Sequence, residues 1–162
     1  MKHASFPFEP FYNTDSSILI LGSFPSVKSR EIGFYYGHPQ NRFWRVLAEV
    51  FNEEVPQSIE EKKQFLKKYK IALWDVIDSC EIEGSSDSSI KNAIPSDLHK
   101  IVDVCEIKHI YVNGKKAEQL FDKYFKELIH IKTCLPSTSP ANAGYSLEKL
   151  KEIWKVIKDG EK

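Results

Sequence analysis

The sequence predicts an α/β fold: a central, mostly parallel sheet of about four strands with helices on both faces. Two observations carry this expectation. Short apolar runs recur along the chain, at residues 17–22 (SILILG), 71–77 (IALWDVI), 107–113 (IKHIYVN) and 129–135 (IHIKTCL). Helical patterns lie between them and after the last. Strands alternating with helices pair in parallel through right-handed crossovers.

Each element has its own signal. The runs at 17–22 and 71–77 are nearly continuous in apolar residues, as strands buried on both faces are. Phe43, Val46, Leu47, Val50 and Phe51 follow the spacing that places side chains on one helical face. Residues 59–69 form a charged amphipathic stretch. Ala117, Leu120, Phe121, Tyr124 and Phe125 repeat the helical spacing, and Leu147, Leu150, Trp154 and Ile157 close the series.

Composition bounds the answer. A chain of 162 residues with 41% hydrophobic content fits one domain with a real core. Its 23 basic and 23 acidic residues cancel, so overall charge favours no class of partner. Charge is unevenly spread, however. Residues 108–132 hold six Lys against three acidic residues, while residues 75–87 hold five acidic residues and no Lys or Arg. The three cysteines, Cys80, Cys105 and Cys134, include no C-x-x-C pair. Their odd number fits a reducing cytoplasm and speaks against a structural zinc or an iron–sulfur cluster. Residues 1–10 are too short and polar for a signal peptide, and no apolar run is long enough to span a membrane. The expectation is a soluble, cofactor-free monomer. Phosphate-loop, dinucleotide, zinc-protease and nucleophile-elbow motifs are absent from the sequence.

In open parallel sheets the site lies beyond the carboxyl ends of the strands. That rule selects the loops after Leu21, Trp74, Val112 and Cys134. The first carries Gly22-Ser23-Phe24-Pro25-Ser26 and runs on to Tyr36-Gly37-His38-Pro39-Gln40-Asn41-Arg42-Phe43-Trp44. Gly22 lets backbone approach a ligand closely. Phe24 can stack on a planar base or pack beneath its loop, a base stack being worth roughly 1–3 kcal/mol. Asn41 opens the first helix as a favoured cap residue, in a density of aromatic and polar residues unusual for a cap alone. His38 is open to acid–base or structural roles. Asp75, between Trp74 and Val76, is a carboxylate among apolar neighbours and needs a partner or a function. The last loop, Leu135-Pro136-Ser137-Thr138-Ser139-Pro140-Ala141-Asn142, is small, polar and stiffened by prolines, with hydroxyl and N–H groups suited to gripping phosphate. Lys115 and Lys116 sit at a helix start, where phosphates bind readily.

Together these segments resemble the uracil-DNA glycosylase superfamily, and within it the hypoxanthine-DNA glycosylase branch, often called family 6. The stretch from Gly22 to Trp44 is similar to that branch's first motif. Leu73-Trp74-Asp75-Val76 with Gly84-Ser85-Ser86-Asp87 is similar to its middle segment, Val112-Asn113-Gly114-Lys115-Lys116-Ala117 to its third strand-to-helix turn, and Leu135 to Asn142 to its second motif. The resemblance implies a three-layer α/β/α fold, no metal or cofactor, and cleavage of an N-glycosidic bond in a flipped nucleotide of DNA carrying a deaminated base. Phe24 stands where the uracil-specific enzymes carry an Asp that activates water, and Leu135 where they carry a His. Lacking both is the pattern of the hypoxanthine branch, whose catalytic Asn in the H-P-x-N segment is matched by Asn41. Gly22, Ser23, Phe24 and Asp75 are then expected to bind the base. Ser137, Thr138, Ser139, Asn142, Lys115 and Lys116 are expected to hold DNA, with Asn142 or Tyr145 filling the gap left in the stack. A glycosylase for uracil or another deaminated base, a silent damage-binding domain and a small-molecule binding protein are the competing readings.

Overall fold

A computed structural model of the chain describes residues 2–5, 9–25, 27–82 and 89–159. The central sheet is β2 (Ile18–Gly22), β3 (Ile71–Asp75), β6 (His109–Asn113) and β7 (Lys132–Leu135), in the order β3-β2-β6-β7 with every pair parallel. Both β2 and β3 are buried along their whole length, which is why their sequences are apolar without alternation. The outer edge of β3 is closed by Phe11, which exchanges two backbone hydrogen bonds with Leu73 at 3.0 and 2.9 Å. The opposite edge, β7, is only half-buried and carries Lys132, paired with Glu118 at 2.8 Å and Asp122 at 3.1 Å.

The helices follow their sequence signals. α2 (Phe43–Phe51) buries Phe43, Val46, Leu47 and Val50 and ends at Asn52, whose left-handed backbone (φ 55°) suits a helix stop. α3 (Ile59–Lys68) opens with a capping box: Ser58 Oγ accepts from Glu61 N–H, and the Glu61 carboxylate accepts from Ser58 N–H. α5 (Lys115–Tyr124) follows β6 directly, and α6 (Leu147–Trp154) starts on a Ser146 cap. Crossovers from β2 to β3 and from β6 to β7 run in opposite directions along the sheet. Right-handed connection therefore places α2 and α3 on one face and α5 on the other. α6 returns to pack on α2, bringing Phe43 and Trp154 edge to face at 5.9 Å. The expected architecture of a parallel sheet between helical layers is what forms.

Some elements depart from the sequence reading. The run at 71–77 is two strands: β3 ends at Asp75, and after Val76 the chain turns into β4 (Ile77–Ile82). β4 pairs antiparallel with β1 (Lys2–Ser5) and β5 (Lys91–Pro95) in a separate three-stranded sheet. The run at 129–135 begins as a 3₁₀ turn over Lys126–Ile131, and only its last residues form β7. Two short helices, α1 (Val27–Ile32) and α4 (His99–Val102), lie between the expected elements. Ser26 and the segment 84–87 lie outside the described residues. No helix among the described residues is long and apolar enough to cross a membrane, and no disulfide joins the three cysteines.

Candidate active site

In the order β3-β2-β6-β7 the chain leaves β2 in one direction and later returns to its other side. The loops after β2 and β6 therefore diverge, opening a crevice at the carboxyl ends of the strands. A cavity of about 330 Å³ lies there. Its floor comes from Gly22, Ser23 and Phe24 after β2 and Asp75 at the end of β3. One wall is Tyr35, Tyr36, His38 and Asn41; the facing wall is Asn113 with the loop from Ser137 to Ala141.

The floor is tightly built. A Cβ on Gly22 would lie 2.5 Å from Asp75 Oδ1 and 3.3 Å from the Tyr36 hydroxyl. Only glycine lets the carboxylate and phenol close over the strand end. Asp75 is 3% exposed, and Val76 and Ile77 N–H groups bond the Gly22 and Ser23 carbonyls at 2.8 and 3.1 Å, locking the two strand ends together. Tyr36 holds a left-handed backbone (φ 54°), a conformation costly for a bulky residue, and stacks on Phe43 at 3.9 Å. Burial, and then the nearby Asp75 carboxylate, raise the Tyr35 phenol far above its usual range. The Tyr35 hydroxyl donates to the Glu9 carbonyl at 3.3 Å. Phe24 is 7% exposed, more buried than an aromatic at a site mouth, and the Arg30 guanidinium lies 5.3 Å from its ring centroid. It packs beneath its loop and also lines the cavity.

The N-cap of α2 is Arg42, not Asn41 as its position suggested; Asn41 lies one residue earlier. Its Oδ1 accepts from the N–H of Phe43, the first residue of α2, at 2.9 Å, and from the Thr138 hydroxyl at 2.8 Å. Both oxygen lone pairs are engaged. The Nδ2 end of this cavity-lining side chain has no partner among the described residues. His38 also faces the cavity, with Nδ1 accepting from the Gln40 N–H at 3.1 Å, which leaves the proton of the neutral ring on Nε2.

The serine-rich loop is braced from three sides. Trp154 Nε1 donates to the Pro136 carbonyl at 2.9 Å. Asn113 grips Thr138 twice, at 3.0 and 3.1 Å. Arg42 reaches across from the start of α2: its Nη2 donates to the Ser139 and Asn142 carbonyls at 3.0 Å each, and its Nη1 to the Tyr145 carbonyl. Ser137 and Ser139 hydroxyls accept from Ser139 and Ala141 N–H groups at 3.1 Å, keeping their own protons to donate. Gly114, at φ 101°, is required where Ser137 comes within 3.2 Å of a would-be Cβ. The adjoining Lys115 is exposed and Lys116 half-buried, beside this loop.

Two expected DNA contacts need correction. Thr138 is fully buried and its hydroxyl is spent between Asn113 and Asn41, so it orders the site from inside. Asn142 commits its amide to the Ser137 carbonyl at 3.0 Å and its carbonyl to Arg42, which makes it a loop brace rather than a free wedge. Tyr145 is half-buried against the core, with Lys149 5.1 Å over its ring. The exposed loop tips are Pro140, Ala141, Ala143 and Gly144. Arg42 and Asn113 are the site residues the sequence reading passed over. Their signal is contact between residues far apart in sequence, which spacing does not carry. Among the described residues no group of His, Cys, Asp or Glu side chains is gathered to hold a metal ion.

A cavity at the switch point of a parallel sheet, with carboxylate, amide and aromatic groups inside and a braced hydroxyl loop at its rim, is the kind of site that α/β enzymes build beyond the carboxyl ends of their strands. Residues 9–159 match the uracil DNA glycosylase superfamily, and the chain belongs to it. It is 35% identical over 157 residues to a hypoxanthine DNA glycosylase of Methanosarcina barkeri, covering 95% of this chain and 96% of that one. It is 34% identical over 152 residues to a hypoxanthine DNA glycosylase of Methanosarcina acetivorans, covering 93% and 95%. A solution NMR structure from Methanosarcina acetivorans, of a candidate uracil DNA glycosylase, superposes with a TM-score of 0.80 at 32% identity, over 93% of this chain and 94% of that one.

Proposed function

We propose that the protein is a DNA glycosylase that hydrolyses the N-glycosidic bond of deoxyinosine, releasing hypoxanthine and leaving an abasic site. The observation that carries the reading is the Asn41 amide, a cavity-lining donor whose oxygen is already saturated. Such a group cannot take a proton from water. It can donate to a nitrogen or oxygen of a purine as negative charge moves onto it. The two relatives named hypoxanthine DNA glycosylase, each aligned over nearly the whole chain, support the same substrate.

The chemistry follows from the placement. The target nucleotide leaves the stack and enters the cavity, at a cost of a few kcal/mol that is least for a weakened pair such as one containing hypoxanthine. Phe24 packs against the flat base, and the Asp75 carboxylate accepts its ring N–H. The bond from C1′ to the base breaks with both electrons going to the base, leaving an oxocarbenium-like sugar that water attacks. Asn41 Nδ2 donates to the charge developing on the base. One preorganised donor of this kind contributes about 2.7–4 kcal/mol. Ser137 and Ser139 hold the backbone beside the flipped nucleotide, with Lys115 and Lys116 adding charge.

The test is product release from labelled duplexes carrying one deoxyinosine or one deoxyuridine. Free hypoxanthine, with an alkali-labile site at the deoxyinosine position, is expected. Release of uracil alone would put the chain among the uracil-removing members of its superfamily and end the hypoxanthine reading.

A further inference from the structure

Three neighbouring side chains, Asn113, Thr138 and Asn41, form a hydrogen-bonded row whose proton order has only one solution. At one end the Thr138 backbone N–H, which can only donate, faces an oxygen of the Asn113 amide at 3.1 Å. That contact fixes the amide orientation, so the Asn113 group facing the Thr138 hydroxyl at 3.0 Å is Nδ2, also a donor. The hydroxyl must accept there, and its single proton goes to the remaining contact, Asn41 at 2.8 Å. At the other end the Phe43 N–H, again donor only, fixes the Asn41 oxygen from a second direction at 2.9 Å. Asn41 is left one orientation, with its NH₂ group away from both donors.

We infer that Thr138 and Asn113 are positioning residues that set Asn41 as a donor. An unconstrained amide turns freely about its last bond and presents oxygen or NH₂ to a ligand with similar ease. The row removes that choice before DNA arrives. It also explains why a threonine sits fully buried in a loop otherwise suited to phosphate. The inference rests on the reading of Asn41 as donor to the leaving base.

The experiment is single-turnover deoxyinosine excision with DNA affinity measured separately, for Thr138→Val, Thr138→Ser and Asn113→Asp, each made in the parent and in an Asn41→Ala background. Thr138→Val keeps the shape and removes the donor. Asn113→Asp turns the donor facing Thr138 into an acceptor that captures the hydroxyl proton, reversing the row. Both should slow excision by about 10- to 100-fold, the scale of a misaligned catalytic group. DNA affinity should stay nearly unchanged. Thr138→Ser, which keeps the hydroxyl, should recover most of the rate. In the Asn41→Ala background Thr138→Val should cost nothing further, since residues that act as one unit are not additive. A full additional loss in that background would show that Thr138 acts on DNA or on folding instead, and would overturn the inference. So would a normal rate for Asn113→Asp in the parent. Inactivity of the parent chain on deoxyinosine would instead strike the proposed function, a separately visible outcome.

Discussion

Arg42→Met is the most informative single perturbation of the site's architecture, because it removes the guanidinium and keeps most of the stem. Arg42 donates to three carbonyls of one loop, those of Ser139, Asn142 and Tyr145. Hydrogen bonds to a charged group are worth about 1.5–3 kcal/mol each, so three sum to roughly 4.5–9 kcal/mol if fully additive. They are not fully additive here. Ser139, Asn142 and Tyr145 are half-buried, so water can replace part of what is lost, and removing a desolvated charge returns something. The expected loss is about 2–4 kcal/mol. In a domain of this size that lowers Tm by roughly 5–15 °C. The assay is urea unfolding followed by circular dichroism, beside thermal unfolding. Arg45→Met serves as control: Arg45 is exposed and, among the described residues, makes one long hydrogen bond, 3.3 Å to the Gln40 carbonyl. It should stay within about 0.5 kcal/mol of the parent. If Arg42→Met also stays within about 0.5 kcal/mol, the bracing argument is wrong.

Other expectations follow from the same geometry. Gly22→Ala sets a methyl 2.5 Å from Asp75 Oδ1, so it should cost about 1–3 kcal/mol as overpacking and displace the Asp75 carboxylate; unfolding curves with excision assays check this, and unimpaired excision would count against a base-binding role for Asp75. Lys115→Ala should lower the slope of log affinity against log salt by about 0.9, as for one lost phosphate contact; an unchanged slope removes Lys115 from the interface. His99 bonds Glu127 and Asp103, and those two partners, Glu127 first, raise its pKa above the ordinary 6.5. A raised pKa means the folded state binds the proton more tightly, so the contribution is full below pH 6.5 and is lost as pH rises through the folded value. His99→Gln should therefore lower Tm at acidic pH and have little effect well above neutrality; an equal deficit at both would refute the ion-pair origin.

The central sheet was legible in the sequence because strands buried on both faces are apolar nearly throughout, as Ile18–Gly22 and Ile71–Asp75 are. The second sheet was not. Its strand Lys91–Pro95 is exposed or half-buried at every position, so it has no apolar stripe to read. Its partner Ile77–Ile82 is separated from the end of β3 by Val76 alone, and the apolar run hides the break. The helices Val27–Ile32 and His99–Val102 span too few turns to show a period of 3.6. Ile129 and Ile131 imitate a strand start, yet the segment is a 3₁₀ turn packed through Leu128.

The site divides in the same way. Gly22, Phe24, Asp75 and Asn41 were visible because each occupies a strand end or helix start on a loop that topology directs to the site. What they touch was not visible. Thr138 looks like a phosphate contact in sequence and is a buried link between Asn113 and Asn41 in space, 25 and 97 residues away. Arg42 reads as one more charge at a helix start, and its partners lie 97 to 103 residues on. Long-range contacts of this kind leave no periodic trace.

In the proposed reaction the Asn41 amide accelerates loss of hypoxanthine by donating to it. The most direct test is the single-turnover rate of deoxyinosine excision by Asn41→Ala beside the parent, with DNA affinity measured by fluorescence anisotropy. The expected rate is lower by about 100- to 1000-fold, with affinity nearly unchanged. A variant that excises hypoxanthine at close to the parent rate would contradict it and remove Asn41 from the chemistry.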